Sequence, residues 1–301
     1  MNKVVLVGCG NVGMSYAYAL VNQKTYVDEL VLIDINVDKT IGEVMDLNHC
    51  LPYSPSKMKI KAGDYSDCNG AKLVVIAGGA NQKPGETRMD LIYKNSEIFK
   101  SIVSQVEENN FDGIYLIATN PVDVMTYLTL KYSGKSFEKV IGTGAALDTA
   151  RLRYILSEKL DMCPKDIDAY VIGEHGDSEF IPWSNANVAF KKITDYLSQK
   201  QLDKIEDKVR NSAYEVIKRK GATYYGIGTC MVRITNAILE DKKIILAVSS
   251  YDKTHDTCIS TPTIVGSSGV KEKIFMPLNE EEKEKLLKSI NVIKEATNKV
   301  I

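Results

Sequence analysis

Three histidines occur among the 301 residues, and one of them stands where an imidazole could do chemistry. His175 lies in Gly173-Glu174-His175-Gly176-Asp177, directly after the apolar run Ala169–Ile172. Two flanking glycines expose its ring at what reads as a strand end, and an imidazole can take a proton from a hydroxyl or return it near neutral pH. His49 ends a helical pattern and His255 sits in a polar, turn-like stretch, so capping or solvation accounts for both. Asp148 and Arg151 share the segment Leu147-Asp148-Thr149-Ala150-Arg151, and Arg88 closes Gly85-Glu86-Thr87-Arg88. Taken alone, such an Asp–Arg set is a solvated ion pair of little consequence. Beside a histidine it means more. A carboxylate fixes the imidazole tautomer and stabilises the imidazolium, and one arginine grips a substrate carboxylate with two parallel hydrogen bonds. A second arginine, on a mobile loop, polarises a carbonyl as negative charge develops on its oxygen. These groups suit the movement of a hydride to or from a small 2-hydroxy acid.

A hydride needs a carrier. Gly8-Cys9-Gly10-Asn11-Val12-Gly13 follows the first strand-like run and opens the first helical pattern. Gly8 permits the tight turn, Gly10 lets backbone approach a pyrophosphate, and Gly13 lets the helix sit close to the sheet. The diphosphate then faces the free N–H groups of a helix start. Asp34 ends the second strand pattern, where a carboxylate binds ribose hydroxyls and repels a 2′-phosphate. The expected cofactor is therefore NAD rather than NADP.

The elements that must position these residues alternate through the first half. Lys3–Gly8, Leu30–Asp34, Lys72–Gly78, Gly113–Thr119 and Val140–Gly142 read as buried strands, rich in Val, Ile and Leu. Between them Asn11–Asn22, Asp38–Cys50, Arg88–Asn109 and Val122–Lys131 read as helices. This is the pattern of an α/β, doubly wound parallel sheet, a Rossmann domain expected over residues 1–143. Residues 144–301 read as an α+β substrate domain, packed tightly on the first because no Pro/Gly/Ser-rich linker intervenes. Its expected helices are Leu147–Leu160, about 198–220 and about 223–240, and its expected strands are Ala169–Ile172, Ile244–Tyr251, Ser260–Val265 and Val270–Phe275. A last helix begins near Asn279, with Glu282 at capping-box spacing.

Composition narrows the class further. A formal net charge of −1 argues against nucleic-acid or membrane-surface partners. No apolar run approaches the ~20 residues that cross a bilayer. The first strand begins at Lys3, so the expectation is a cytoplasmic chain with no leader. The six cysteines are scattered and form no Cys-x-x-Cys pair, which points to reduced thiols and no metal site.

With Asp46-Leu47-Asn48-His49, Gln82-Lys83-Pro84-Gly85-Glu86-Thr87-Arg88 and Thr119-Asn120-Pro121-Val122-Asp123 added, the motifs in their order resemble the L-lactate/malate dehydrogenase family, in particular its lactate side. The resemblance covers nearly the whole chain. It implies His175 as proton donor and acceptor, Asp148 as its orienting partner, Arg151 as carboxylate clamp, and Arg88 as carbonyl polariser on a closing loop. It also implies Asn120 at the substrate and cofactor, Thr143 near the nicotinamide amide, and Thr223 beside the substrate side chain. Cys9 and Thr143 depart mildly from the family pattern, and Ala145 stands where threonine is usual. Malate enzymes carry an arginine at the place of Gln82. A neutral glutamine would leave the second carboxylate of oxaloacetate unpaired, which favours pyruvate and lactate. Bulkier 2-hydroxy acids, or a catalytically idle dinucleotide-binding protein on the same fold, are the alternative readings.

Resemblance further implies a homotetramer, and in many bacterial relatives a fructose 1,6-bisphosphate site built on an arginine and a histidine. The corresponding positions here are Arg153 and Asp168. An acidic Asp168 would repel sugar phosphates, so little activation is expected. It could instead pair with Arg153 or with its symmetry mate.

Overall fold

The computed structural model describes residues 1–80 and 88–301, the side chains of 88–90 aside. Gln82 therefore lies outside the described residues, and Arg88 is described only as backbone at the start of a helix.

The expected alternation is present. Strands β1 (Lys3–Val7), β2 (Glu29–Ile33), β3 (Lys59–Ala62), β4 (Leu73–Ile76), β5 (Ile114–Ile117) and β6 (Val140–Gly142) pair in parallel in the order β3-β2-β1-β4-β5-β6. Helices α1 (Asn11–Asn22), α2 (Val37–Cys50), α3 (Arg88–Glu108) and α4 (Val122–Ser133) connect them. That order reverses between β1 and β4, which creates the crevice where doubly wound sheets bind ligands.

Period-two alternation along each strand sorts the core onto two faces. Val4, Leu6, Leu30, Leu32, Leu73 and Val75 pack on one side with Leu20 of α1. Val5, Val7, Val31, Val74 and Ile76 pack on the other with Phe99 of α3 and Met125 of α4. Burial on both faces explains why these strands read as continuous apolar runs.

The second half begins with α5 (Ala146–Leu160), followed by the short strands β7 (Ile167–Asp168), β8 (Asn187–Val188) and β9 (Lys191–Lys192). Helices α6 (Gln199–Lys220) and α7 (Tyr225–Leu239) come next, then β10 (Ile244–Asp252), β11 (Thr257–Gly266), β12 (Gly269–Lys273) and α8 (Glu280–Thr297). Asn279 and Glu282 form the expected capping box at the start of α8. The Glu282 carboxylate also binds the N–H and hydroxyl of Ser184.

Two expectations change. The run Ala169–Ile172 is not a strand, because its backbone groups are satisfied otherwise. Val171 N–H donates to Thr149 Oγ1 and Ala169 O accepts from Arg153 Nε, both on α5. Only Ile172 forms a bridge, to Phe180. Secondly, β10–β12 extend the first-half sheet instead of standing apart. β10 runs antiparallel to β6, with Ser249 opposite Gly142, and the sheet has nine strands. The sheet thus carries the C-terminal half into contact with the ligand edge of the first.

Candidate active site

The expected cofactor residues sit at the C-terminal ends of parallel strands or just beyond. Gly8 follows β1 with φ +104°, and a Cβ there would stand 2.2 Å from the backbone N of Gly78, so a side chain is excluded twice over. A Cβ on Gly13 would meet Gly8 O at 2.0 Å, which shows how closely α1 approaches the turn. Gly10 is different, since nothing lies within 4 Å of the space its Cβ would fill. Gly10 also begins α1 without any side-chain cap, leaving the N–H groups of Asn11, Val12 and Gly13 to face that open space. Asp34 closes the turn from the second strand. Its Oδ2 accepts from Cys9 N–H at 2.7 Å and its Oδ1 from Asn36 N–H at 3.0 Å. Cys9 itself points inward and is buried, and burial pushes its thiol up to about 11.

At the end of β5, the Asn120 carbonyl accepts from Asn95 Nδ2 at 3.1 Å, while Asn95 Oδ1 receives Ala80 N–H at 2.8 Å. Asn95 on α3 therefore ties the segment after β4 to the segment after β5. Thr143, just beyond β6, is buried, and its N–H donates to Ile117 O at 2.8 Å.

The chemical group assembles around one carboxylate. Asp148, in the first turn of α5, is only 2% exposed. Its Oδ2 lies 2.6 Å from His175 Nδ1 and its Oδ1 lies 2.8 Å from the Arg151 guanidinium, one helical turn on. Burial pushes the Asp148 carboxyl upward, but the charges of His175 and Arg151 outweigh it and hold the group below its usual range. Burial likewise opposes the charge on His175. The Asp148 carboxylate beside it, through its charge and its hydrogen bond, reverses the balance and raises the imidazole to about 9.

The loop carrying His175 is clamped at its base. Ile172 and Phe180 exchange two 3.0 Å backbone bonds, and Gly173 pairs with Ser260 of β11. Gly173 has φ +100°, and a Cβ there would press on Ser289 of α8 at 2.6 Å. The flanking glycine is thus needed for backbone geometry as well as for exposing the ring. His175 N–H donates to Asp123 Oδ2 at 2.8 Å, and Ser249 Oγ donates to Asp123 Oδ1 at 2.6 Å. Burial raises Asp123 to about 6 despite those hydrogen bonds.

The motif around Asp123 does not by itself signal this role, and Asn95 and Glu179 lie in no functional motif of the sequence. The polar side-chain atoms of Asp148, His175 and Glu179 all lie within 4.8 Å of one another. Thr223 lies half-buried between α6 and α7, outside the hydrogen-bonded cluster. Its segment adjoins the site: a Cβ on Gly226 would meet the Leu147 side chain at 2.8 Å. Ala145, where threonine is usual in the family, is buried, and its N–H donates to Ser260 Oγ at 3.1 Å.

Family models decide the lineage. The NAD binding domain of lactate/malate dehydrogenase matches residues 2–142, and the alpha/beta C-terminal domain matches residues 145–301. The chain belongs to the lactate/malate dehydrogenase family. Among relatives of this family, L-lactate dehydrogenase 2 of Bacillus cereus is 48% identical, over all of this chain and 99% of its own length. A lactate dehydrogenase from a Medee basin deep-sea metagenome library superposes with a TM-score of 0.97 at 48% identity, covering 99% of this chain and 98% of its own. The minor L-lactate dehydrogenase of Enterococcus mundtii, in a ligands-bound form, superposes at 0.98 with 42% identity, over 100% and 98%.

As a family member the chain uses NAD, and its own residues suit that cofactor. The open face at Gly10 and the uncapped start of α1 offer the space and free N–H groups that fit a diphosphate, and Asp34 places a carboxylate beside that turn.

Arg153 and Asp168 lie on neighbouring elements, in α5 and in β7. No ion pair joins them among the described residues. Arg153 lies over the Tyr170 ring at 4.7 Å, and its Nε donates to Ala169 O at 3.1 Å.

Proposed function

We propose that this chain is an NAD-dependent L-lactate dehydrogenase, interconverting pyruvate and L-lactate. The observation that supports this most is the shared Asp148 carboxylate, which holds a proton-transfer imidazole and a carboxylate-binding guanidinium in one rigid unit. NAD supplies the hydride acceptor or donor at its nicotinamide ring.

The chain's residues do the rest. Arg151 binds the substrate carboxylate and so fixes the 2-carbon relative to the ring of His175. With Nδ1 engaged by Asp148, His175 works through Nε2, giving a proton to the carbonyl oxygen of pyruvate or taking it from the hydroxyl of lactate. Asp148 stabilises the imidazolium that waits for pyruvate. Arg88 polarises the carbonyl, and a neutral Gln82 leaves the second carboxylate of a larger acid without a cation. Thr223 lines the same end of the pocket, and Asn120 and Thr143 lie between substrate and nicotinamide.

Residues 1–143 form the cofactor half and 144–301 the substrate half. No described helix is long and apolar enough to cross a membrane. By its family resemblance the chain acts as a cytoplasmic homotetramer that ends fermentative glycolysis. Rates of NADH oxidation with pyruvate, oxaloacetate and 2-oxoisocaproate test the assignment. Pyruvate should be fastest, and preference for either of the others would replace it.

A further inference from the structure

We infer that Glu179 is a positioning residue, a neutral carboxylic acid that donates its proton to Asp148 and thereby steadies the anion shared by His175 and Arg151. The inference rests on the dehydrogenase reading of this site.

The argument begins with placement. Glu179 ends the tight turn opened by His175, with its N–H on Gly176 O at 3.1 Å and its chain closed by the Ile172–Phe180 bridge. It is 6% exposed, and its carboxyl lies within 4.8 Å of both the Asp148 carboxylate and the His175 ring nitrogen. Two buried carboxyls this close repel strongly when both are ionised, and a proton kept on one of them removes the repulsion and supplies a donor to the other. One of them therefore carries the proton. Asp148 has two cationic partners, Arg151 at 2.8 Å and His175 at 2.6 Å, and therefore keeps its charge. Glu179 has no side-chain ion pair among the described residues, and the Arg210 guanidinium reaches its backbone carbonyl instead, at 3.3 Å. The proton settles on Glu179, and burial with the Asp148 charge raises it to about 9.

The other charged groups around the cluster agree with this. Asp123 on α4 holds the backbone of His175, and Arg210 on α6 is neutralised by Glu206 at 3.0 Å. Both Asp148 oxygens already have partners, so a cation bound between the three side chains would have to displace one of them. The donated proton occupies a remaining lone pair of Asp148 and resists rotation of its carboxylate, which would misalign base and clamp together.

Two variants and one spectroscopic readout test this. In the intact protein at neutral pH, infrared difference spectra between wild type and Glu179→Gln should show the carbonyl band of a protonated carboxylic acid in the wild type alone. That readout needs no turnover, so it stands or falls apart from the activity assignment. Glu179→Gln keeps a neutral donor and should cost pyruvate reduction only a few fold, with the alkaline midpoint of its pH profile unmoved. Glu179→Leu removes the donor and should raise the pyruvate KM roughly tenfold further. The inference is overturned if no such band exists, or if Glu179→Gln moves the alkaline midpoint down by about one pH unit, as loss of a negative charge would. Equal KM values for the two variants would overturn it as well.

Discussion

The Oδ2 atom of Asp148 lies 2.6 Å from Nδ1 of His175, so a buried anion sets both the tautomer and the charge of the imidazole. Because the same carboxylate holds Arg151, removing its charge disturbs base and clamp together. Asp148→Asn should raise the pyruvate KM on the order of a hundredfold, with a smaller loss in kcat. Steady-state kinetics at saturating NADH measure this, and an unchanged KM would show that the pair does not organise substrate binding.

His175, raised to about 9 from an ordinary 6.5, is protonated at neutral pH in the free protein. Pyruvate reduction uses the protonated ring, so its rate should hold through neutral pH and fall as pH rises through about 9. Lactate oxidation uses the neutral ring and should rise over the same interval. Stability follows the same direction: a folded-state pKa above the unfolded one stabilises fully below about 6.5, and that contribution is lost as pH rises through about 9. Paired pH profiles of the two directions check this, and coincident optima would contradict it.

Gln82→Arg should raise oxaloacetate activity roughly a hundredfold while depressing pyruvate activity, since one substitution supplies the cation a second carboxylate lacks. Comparing kcat/KM on both acids decides the matter. No shift in the ratio would remove Gln82 from the substrate pocket.

Asp34→Ser should narrow the preference for NADH over NADPH by roughly tenfold, as the repulsion of a 2′-phosphate disappears. It should also weaken NADH binding itself, because Cys9 N–H loses the carboxylate that holds the turn at 2.7 Å. Fluorescence titration with both cofactors separates the two effects. Equal wild-type affinity for NADH and NADPH would contradict the role of Asp34.

Much of this site was legible because its chemistry is concentrated in short segments. Gly8–Gly13 with Asp34, and Asp148 with Arg151, each join groups whose spacing already suggests contact. The meeting of Asp148 with His175 spans 27 positions and was expected from chemistry and resemblance. Asp123 was harder, because an aspartate at a helix start reads first as a cap, and its bonds to His175 and Ser249 span 52 and 126 positions. Glu179 gave no signal, since a lone glutamate in a polar turn reads as solvated until burial places it beside Asp148. In the fold, β3 was missed because only Ile60 of its four residues is buried, at the sheet edge. The Ala169–Ile172 segment has a strand's composition, but side chains of α5 take its hydrogen bonds.

The central claim is that His175 carries the proton, and His175→Asn tests it most directly. Binding of NADH to the variant and its single-turnover rate with pyruvate should be measured on the same preparation. NADH affinity should stay within a few fold of wild type, since the Gly8–Gly13 turn and Asp34 are untouched. The rate with pyruvate should fall roughly a thousandfold or more, because the proton donor and a substrate hydrogen bond are lost together. A rate close to wild type, with NADH binding intact, would contradict it.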